Sequence, residues 1–174
     1  EEFLNTLLIL DRNKRPTYKN IFILVGPSAS GKSSLVDKLM QKDCNISKTI
    51  SYTTRPPRYR SEPYNFISVE EFNQLKKTNF FVETTEYKGA FYGTAYSDLE
   101  QFRYIGKKLI AIMDINGALN VKRHYPDNTS LLYIERPKED CIRSILQRTI
   151  SIDEIVSRIS SIDEEQKNKK FCDY

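Results

Sequence analysis

At 174 residues, 39% hydrophobic and 29% charged, the chain is the size of one globular domain that can bury a core without disulfides. This composition excludes disordered and fibrous classes. A net charge of +4 suits a protein that handles small anions and is too weak to indicate nucleic acid as a partner.

Cys44, Cys141 and Cys172 are odd in number and include no C-x-x-C pair, so metal ligation by thiolates is not expected and a reduced, cytoplasmic setting is. No membrane association is expected: Leu7-Leu8-Ile9-Leu10 is too short to span, and Glu1-Glu2 replaces the basic start of a signal peptide. The chain opens on Glu and stops at Phe171-Cys172-Asp173-Tyr174, which reads as a trimmed or incomplete sequence. Residues 1–20 read as an N-terminal extension.

The apolar run Ile21-Phe22-Ile23-Leu24-Val25 predicts a strand, and Ser34 to Met40 has helix-compatible spacing. Between them Gly26-Pro27-Ser28-Ala29-Ser30-Gly31-Lys32-Ser33 reads G-x-x-x-x-G-K-S, a phosphate-cradling loop in its strand–loop–helix setting. The glycines let the backbone N–H groups and the helix N-terminus approach anionic oxygens. Lys32 is expected to reach the β/γ-phosphates and Ser33 to ligate Mg²⁺. The chain is expected to bind a nucleoside triphosphate.

Ile46 to Tyr52 is rich in β-branched residues and predicts one strand. In Arg55-Pro56-Pro57-Arg58 the prolines exclude a helix and stiffen the segment. Two arginines so placed can clamp a phosphate, with Tyr64 as a further donor; a solvated basic loop is the alternative. Ser68-Val69-Glu70-Glu71 is a capping box for a helix through Lys77, and Phe80–Tyr87 and Ala90–Thr94 predict paired strands.

Ser97-Asp98-Leu99-Glu100 predicts another capped helix start, with Gly106 just past the helix end. Leu109 to Met113 reads as a strand buried on both faces, 117–124 as a weak helix whose end carries a solvated His124, and Leu131 to Ile134 as a further strand. Ser151 caps a helix with one apolar stripe, Ile152, Ile155, Val156, Ile159 and Ile162, expected to be buried. The alternating pattern predicts a parallel sheet with helices on both sides.

Three blocks together resemble the guanylate kinase family, over about residues 20 to 160: Gly26 to Ser34; Ser51, Thr53, Thr54, Arg55, Pro57, Arg58 and Tyr64; and Phe81-Val82-Glu83 through Tyr92-Gly93-Thr94. The resemblance implies an α/β P-loop NTPase-type core (21–50 and 97–174), an inserted mixed-β acceptor lobe (51–96) and a lid near 137–150. It implies transfer of the ATP γ-phosphate to GMP, or to dGMP, by a Mg²⁺-dependent monomer or small homo-oligomer. Gly26, Ser28, Ala29, Ser30, Gly31, Lys32, Ser33 and Ser34 would hold ATP.

On the acceptor side, Arg55, Arg58, Tyr64 and Tyr92 would hold the GMP phosphate, and Glu83 the guanine N1–H and N2 amino group. Ser51 and Thr94 would add polar contacts to the base, and Asp114 would contact the base or a metal-bound water. Arg148 and Arg158 would join Lys32 and Arg55 in stabilising the transferring group.

The sequence departs from the family pattern in several places. Ile112 replaces an acid and Asn116 a glutamine. Ser144 stands where a lid arginine is expected, with Arg143 adjacent, and the lid's R-G-T/R becomes Arg148-Thr149. Tyr59 to Pro63 is shortened, an expected source of displacement at Tyr64. The family's closing strand and helix would lie beyond Tyr174. Two other readings fit less well: a non-catalytic guanylate-kinase-like interaction module, and a kinase for another phosphorylated acceptor.

Overall fold

The computed structural model describes residues 20–174 apart from Gly106, Thr149 and the side chains of 101–105. The expected N-terminal extension, but for Asn20, and the expected helix-ending Gly106 therefore lie outside the described residues.

The core is a four-stranded parallel sheet in the order β2-β7-β1-β8, built from β1 (Ile21–Val25), β2 (Ile46–Lys48), β7 (Lys108–Ile112) and β8 (Thr129–Tyr133). Strand side chains alternate between faces, and both faces of β1 are covered. Ile21, Ile23 and Val25 pack with Leu99, Leu109, Ala118, Val121 and Leu131. Leu24 meets Val36 and Leu39 of α1 (Lys32–Lys42) on the opposite face. The continuous apolar runs of the sequence are the signature of this two-sided burial.

A second, mixed sheet has the order β4-β3-β6-β5, from β3 (Tyr52–Thr53), β4 (Asn65–Phe66), β5 (Phe81–Tyr87) and β6 (Ala90–Ala95). The single strand expected over Ile46–Tyr52 is therefore two. The chain leaves the core sheet after Lys48 and joins the second sheet at Tyr52, so β-branched content alone did not reveal the change of partner. Helix α2 (Val69–Lys77) closes this sheet, with Ser68 Oγ accepting the Glu71 N–H at 3.0 Å and Phe72 stacked on Phe81 and Phe91.

Helix α3 (Tyr96–Ile105) starts before the expected cap at Ser97, because β6 runs straight into it and the Tyr96 N–H is taken by Phe80 O at 3.1 Å. Helix α4 (Ile115–His124) starts earlier than expected, on Asp114, whose Oδ1 accepts the Asn116 and Gly117 N–H groups. His124 is exposed at its end, as expected.

Beyond β8 come α5 (Lys138–Leu146), α6 (Ile152–Ser160), α7 (Ile162–Gln166) and a 3-10 turn (Lys167–Phe171). Ser151 caps α6, but its expected stripe is only partly buried. Ile155 and Ile159 pack on Cys141, Ile145 and Ile162, while Ile152 and Val156 are exposed. Helix α6 ends at Ser161, and Ile162, the first residue of α7, is fully buried with Ile155 and Ile159 packed against its cluster. The terminal residues lie along β8, with Tyr133 N–H donating to Tyr174 O at 2.8 Å.

Candidate active site

The loop from Gly26 to Gly31 joins β1 to α1. Gly26 has φ of 149°, and a Cβ there would stand 2.6 Å from Ile134 O, so only glycine fits. Ala29 takes a left-handed φ of 63°. Lys32 folds over its own loop, donating to Gly26 O at 2.7 Å, Pro27 O at 2.8 Å and Ser30 Oγ at 3.3 Å. Burial lowers its ammonium to about 8; Glu165 opposes the shift, and Arg148 and Arg158 add to it. Arg136 Nη1 donates to Ala29 O at 2.7 Å, tying the loop to the segment before α5.

Ser33 is exposed on the first turn of α1 and lines the cleft. Among the described residues no three Asp, Glu, His or Cys side chains gather in a metal-ligand cluster. That donor set fits a hard cation held by one hydroxyl together with phosphate oxygens and water, the usual arrangement for Mg²⁺.

The residues expected on the acceptor side come from the second sheet and from the connection between β3 and β4. Glu62, almost fully buried, takes a bidentate pair from Arg55 at 2.8 and 3.0 Å and the Arg58 backbone N–H at 2.9 Å. Burial alone would raise the Glu62 carboxyl, but hydrogen bonds and the charges of the two arginines hold it below the ordinary range. Arg55 Nε donates to Tyr92 Oη at 3.3 Å, and its guanidinium lies 5.2 Å from the Tyr64 ring centre. The shortened segment closes compactly, with Ser61 at φ 68° and Tyr64 N–H on Glu62 O at 2.8 Å. Tyr64 thus lines the cleft and is not displaced from it.

Glu83 reaches the cleft through a register shift in β5. Phe81 pairs with Ala95 and Glu83 with Thr94, leaving Val82 as an extra residue. Phe81, Val82 and Glu83 are consequently all buried. Thr94 Oγ1 donates to Glu83 Oε1 at 2.8 Å, whereas Glu83 Oε2 is buried with no partner. Burial pushes the carboxyl up to about 7, with Thr94 holding it back and the Asp114 charge adding to the rise. A buried acceptor oxygen left open is a site for an N–H donor from a ligand.

All the nominated site residues except Thr94 line one cleft of about 440 Å³, including Ser51, Asp114, Arg148 and Arg158. Thr94 is fully buried behind Glu83 and orients it. Arg143 pairs with Asp140, is mostly exposed and does not line the cleft, so it does not stand in for the arginine missing at Ser144. Arg148 has its guanidinium pushed downward by burial and by the neighbouring Arg158 and Arg58 charges. Arg58, Arg148 and Arg158 thus bring like charges close together on the cleft lining.

Sequence reading missed three carboxylates: Glu62, Glu154 and Glu165. Glu165 Oε2 accepts the Ser28 N–H at 2.6 Å, and Glu154 holds Arg158 at 2.6 and 3.0 Å. Only the spacing of Glu154 to Arg158, one helical turn, was visible as a signal.

A family model described as guanylate kinase matches residues 18–172. A guanylate kinase from Polaromonas sp. is 39% identical over 132 residues, spanning 74% of this chain and 64% of that protein. The chain thus matches slightly under two thirds of that relative's length. One from Wolinella succinogenes is 35% identical over 159 residues, covering 88% of this chain and 74% of its own. The crystal structure of guanylate kinase from Anaplasma phagocytophilum superposes with a TM-score of 0.70 at 23% identity, over 91% of this chain and 76% of that one, which supports the fold. With phosphate loop, acceptor segment and carboxylate strand converging on one cleft, the chain belongs to the guanylate kinase family.

Proposed function

We propose that this chain is an ATP:GMP phosphotransferase, catalysing ATP + GMP → ADP + GDP. A single cleft supports this reading. It has the Lys32 loop on one wall and Arg55, Arg58 and the open Glu83 oxygen on the other. The core (21–50 and 97–174) would carry the donor, the lobe (51–96) the acceptor, and the segment near 137–150 would act as lid.

Gly26 and the residues Ser28 to Ser34 would surround the triphosphate, with Lys32 leaving its loop carbonyls for the β/γ oxygens. Arg55, Arg58, Tyr64 and Tyr92 would orient the GMP phosphate. The open Glu83 oxygen would accept from guanine N1–H and N2–H, a donor pair adenine lacks; leaving it unpaired penalises AMP. Ser51 and Asp114 line the same cleft.

A GMP phosphate oxygen then attacks the γ-phosphorus, and the bond to the β-bridging oxygen breaks, with ADP leaving. No general base is required, because the nucleophile is already anionic; positioning and charge neutralisation by Lys32, Arg148 and Arg158 supply the rate. Mg²⁺, held by the Ser33 hydroxyl and the phosphates, would neutralise charge on the donor.

The test is ADP release with GMP, dGMP, AMP or no acceptor. Turnover is expected with GMP and dGMP, and Lys32→Ala should abolish it while circular dichroism is unchanged. No turnover with any acceptor would refute the kinase reading, and turnover with AMP alone would refute the role given to Glu83.

A further inference from the structure

Glu154 lies outside the cleft lining, yet one of its oxygens joins both walls. Oε1 is 3.1 Å from Arg58 Nη2 and accepts from Arg158 Nε at 3.0 Å and Nη2 at 2.6 Å. Arg158 Nη1 goes on to donate to Ser28 Oγ at 2.8 Å. A continuous chain of polar contacts therefore runs from the acceptor arginine through α6 to the phosphate loop.

The two acceptor arginines are not equally engaged. Arg55 commits Nε to Tyr92, Nη1 to Pro56 O and Glu62, and Nη2 to Glu62, leaving one of its five N–H groups. Arg58 is half-exposed and approaches Glu62 only to 3.8 Å; its close ionic partner is Glu154. Glu154 thus occupies the role of an anion on the arginine most available to an incoming phosphate. A phosphate monoester carries about −1.5 to −2 charge near neutrality, so it out-competes a single carboxylate for a guanidinium.

Building on the GMP kinase reading, we propose that Glu154 is a positioning residue shared by the two substrate sites. In the free enzyme it holds Arg58 in place of the acceptor phosphate. When the phosphate takes Arg58, Glu154 is left to fix Arg158 alone, with the Arg158 Nη1 donor directed at the phosphate loop. The exchange couples acceptor binding to alignment of a donor-side arginine, because only the ligand's differential affinity drives it.

The variants Glu154→Ala and Glu154→Gln test this by steady-state kinetics and by calorimetric GMP binding, beside the wild type. Losing a half-exposed competing pair should tighten GMP binding and lower its KM by about two- to five-fold. Losing the hold on Arg158 should lower kcat by about ten-fold in Glu154→Ala and by less in Glu154→Gln, which keeps one acceptor oxygen. The KM for ATP should move less than that for GMP. A simple structural defect would instead weaken GMP binding. Unchanged or weaker GMP binding in both variants, with an active wild type, overturns the inference alone. A wild type without GMP turnover overturns the reading beneath it as well.

Discussion

Glu165 sets a carboxylate oxygen 2.6 Å from the Ser28 amide nitrogen, inside the loop that would hold the donor phosphates. Its other oxygen accepts the Tyr87 hydroxyl of the β5–β6 hairpin at 2.8 Å. A negative group on a phosphate-loop N–H must give way to the triphosphate, and Tyr87 helps to keep it there. Tyr87→Phe removes that hydrogen bond and keeps the ring. The KM for ATP should fall about three-fold, the size of one net hydrogen bond. A higher KM for ATP would show that Tyr87 assists the donor site instead.

The Glu83 carboxyl gives a pH signature. Its folded value of about 7 lies above the ordinary 4.5, so between these values the folded state holds the extra proton. Stability from this group is full below pH 4.5 and is lost as pH rises through 7. In the role proposed for Glu83, accepting from guanine N–H groups would require the ionised form, so activity would run the other way. The plot of log kcat/KM for GMP, which reports free-enzyme groups, should fall below about pH 7 with a slope approaching one. Glu83→Gln should be weak and flat across this range; a wild-type profile level down to about pH 5.5 would contradict the assignment.

Gly117 lies against the same carboxylate. A Cβ on it would stand 2.9 Å from Glu83 Oε2, so Gly117→Ala must turn the Glu83 head aside. Alanine also favours the helix by about 0.5–1 kcal/mol. Melting temperature should hold or rise while the KM for GMP increases about ten-fold and the KM for ATP stays constant. A fall in both affinities would point to a wider disturbance.

Glu62→Ala would strip a nearly buried guanidinium, Arg55, of its bidentate partner. The cost should be about 2 kcal/mol, seen in chemical denaturation. A GMP phosphate would then supply the missing anion, so saturating GMP should raise the variant's melting temperature by more than the wild type's. An equal shift in the two proteins would show that Arg55 does not exchange Glu62 for phosphate.

The sequence made legible what is dictated locally. The phosphate loop needs a residue without a side chain at Gly26, and Ser68 and Ser151 announce α2 and α6 by capping. The two-sided core strands are visible as apolar runs. What pairs a charge with its partner was not legible, because Ser28 and Glu165 are 137 positions apart and meet only through the fold. The change of sheet before Tyr52 was hidden for the same reason: strand propensity does not name a neighbour. At Ser97 a capping pattern was present and overridden by a strand running directly into the helix.

The extra residue at Val82 has a bearing on how such a pocket can change. With it, Phe81 enters the aromatic cluster of the second sheet, Val82 the main core and Glu83 the cleft. The side chain at 83 can then be exchanged, and with it the base preference proposed for the cleft, without disturbing either hydrophobic layer. Deleting one residue from this stretch would do something different in kind. It would move the acid onto a hydrophobic layer and an apolar side chain into the cleft, so insertions and deletions here should be far less tolerated than substitutions.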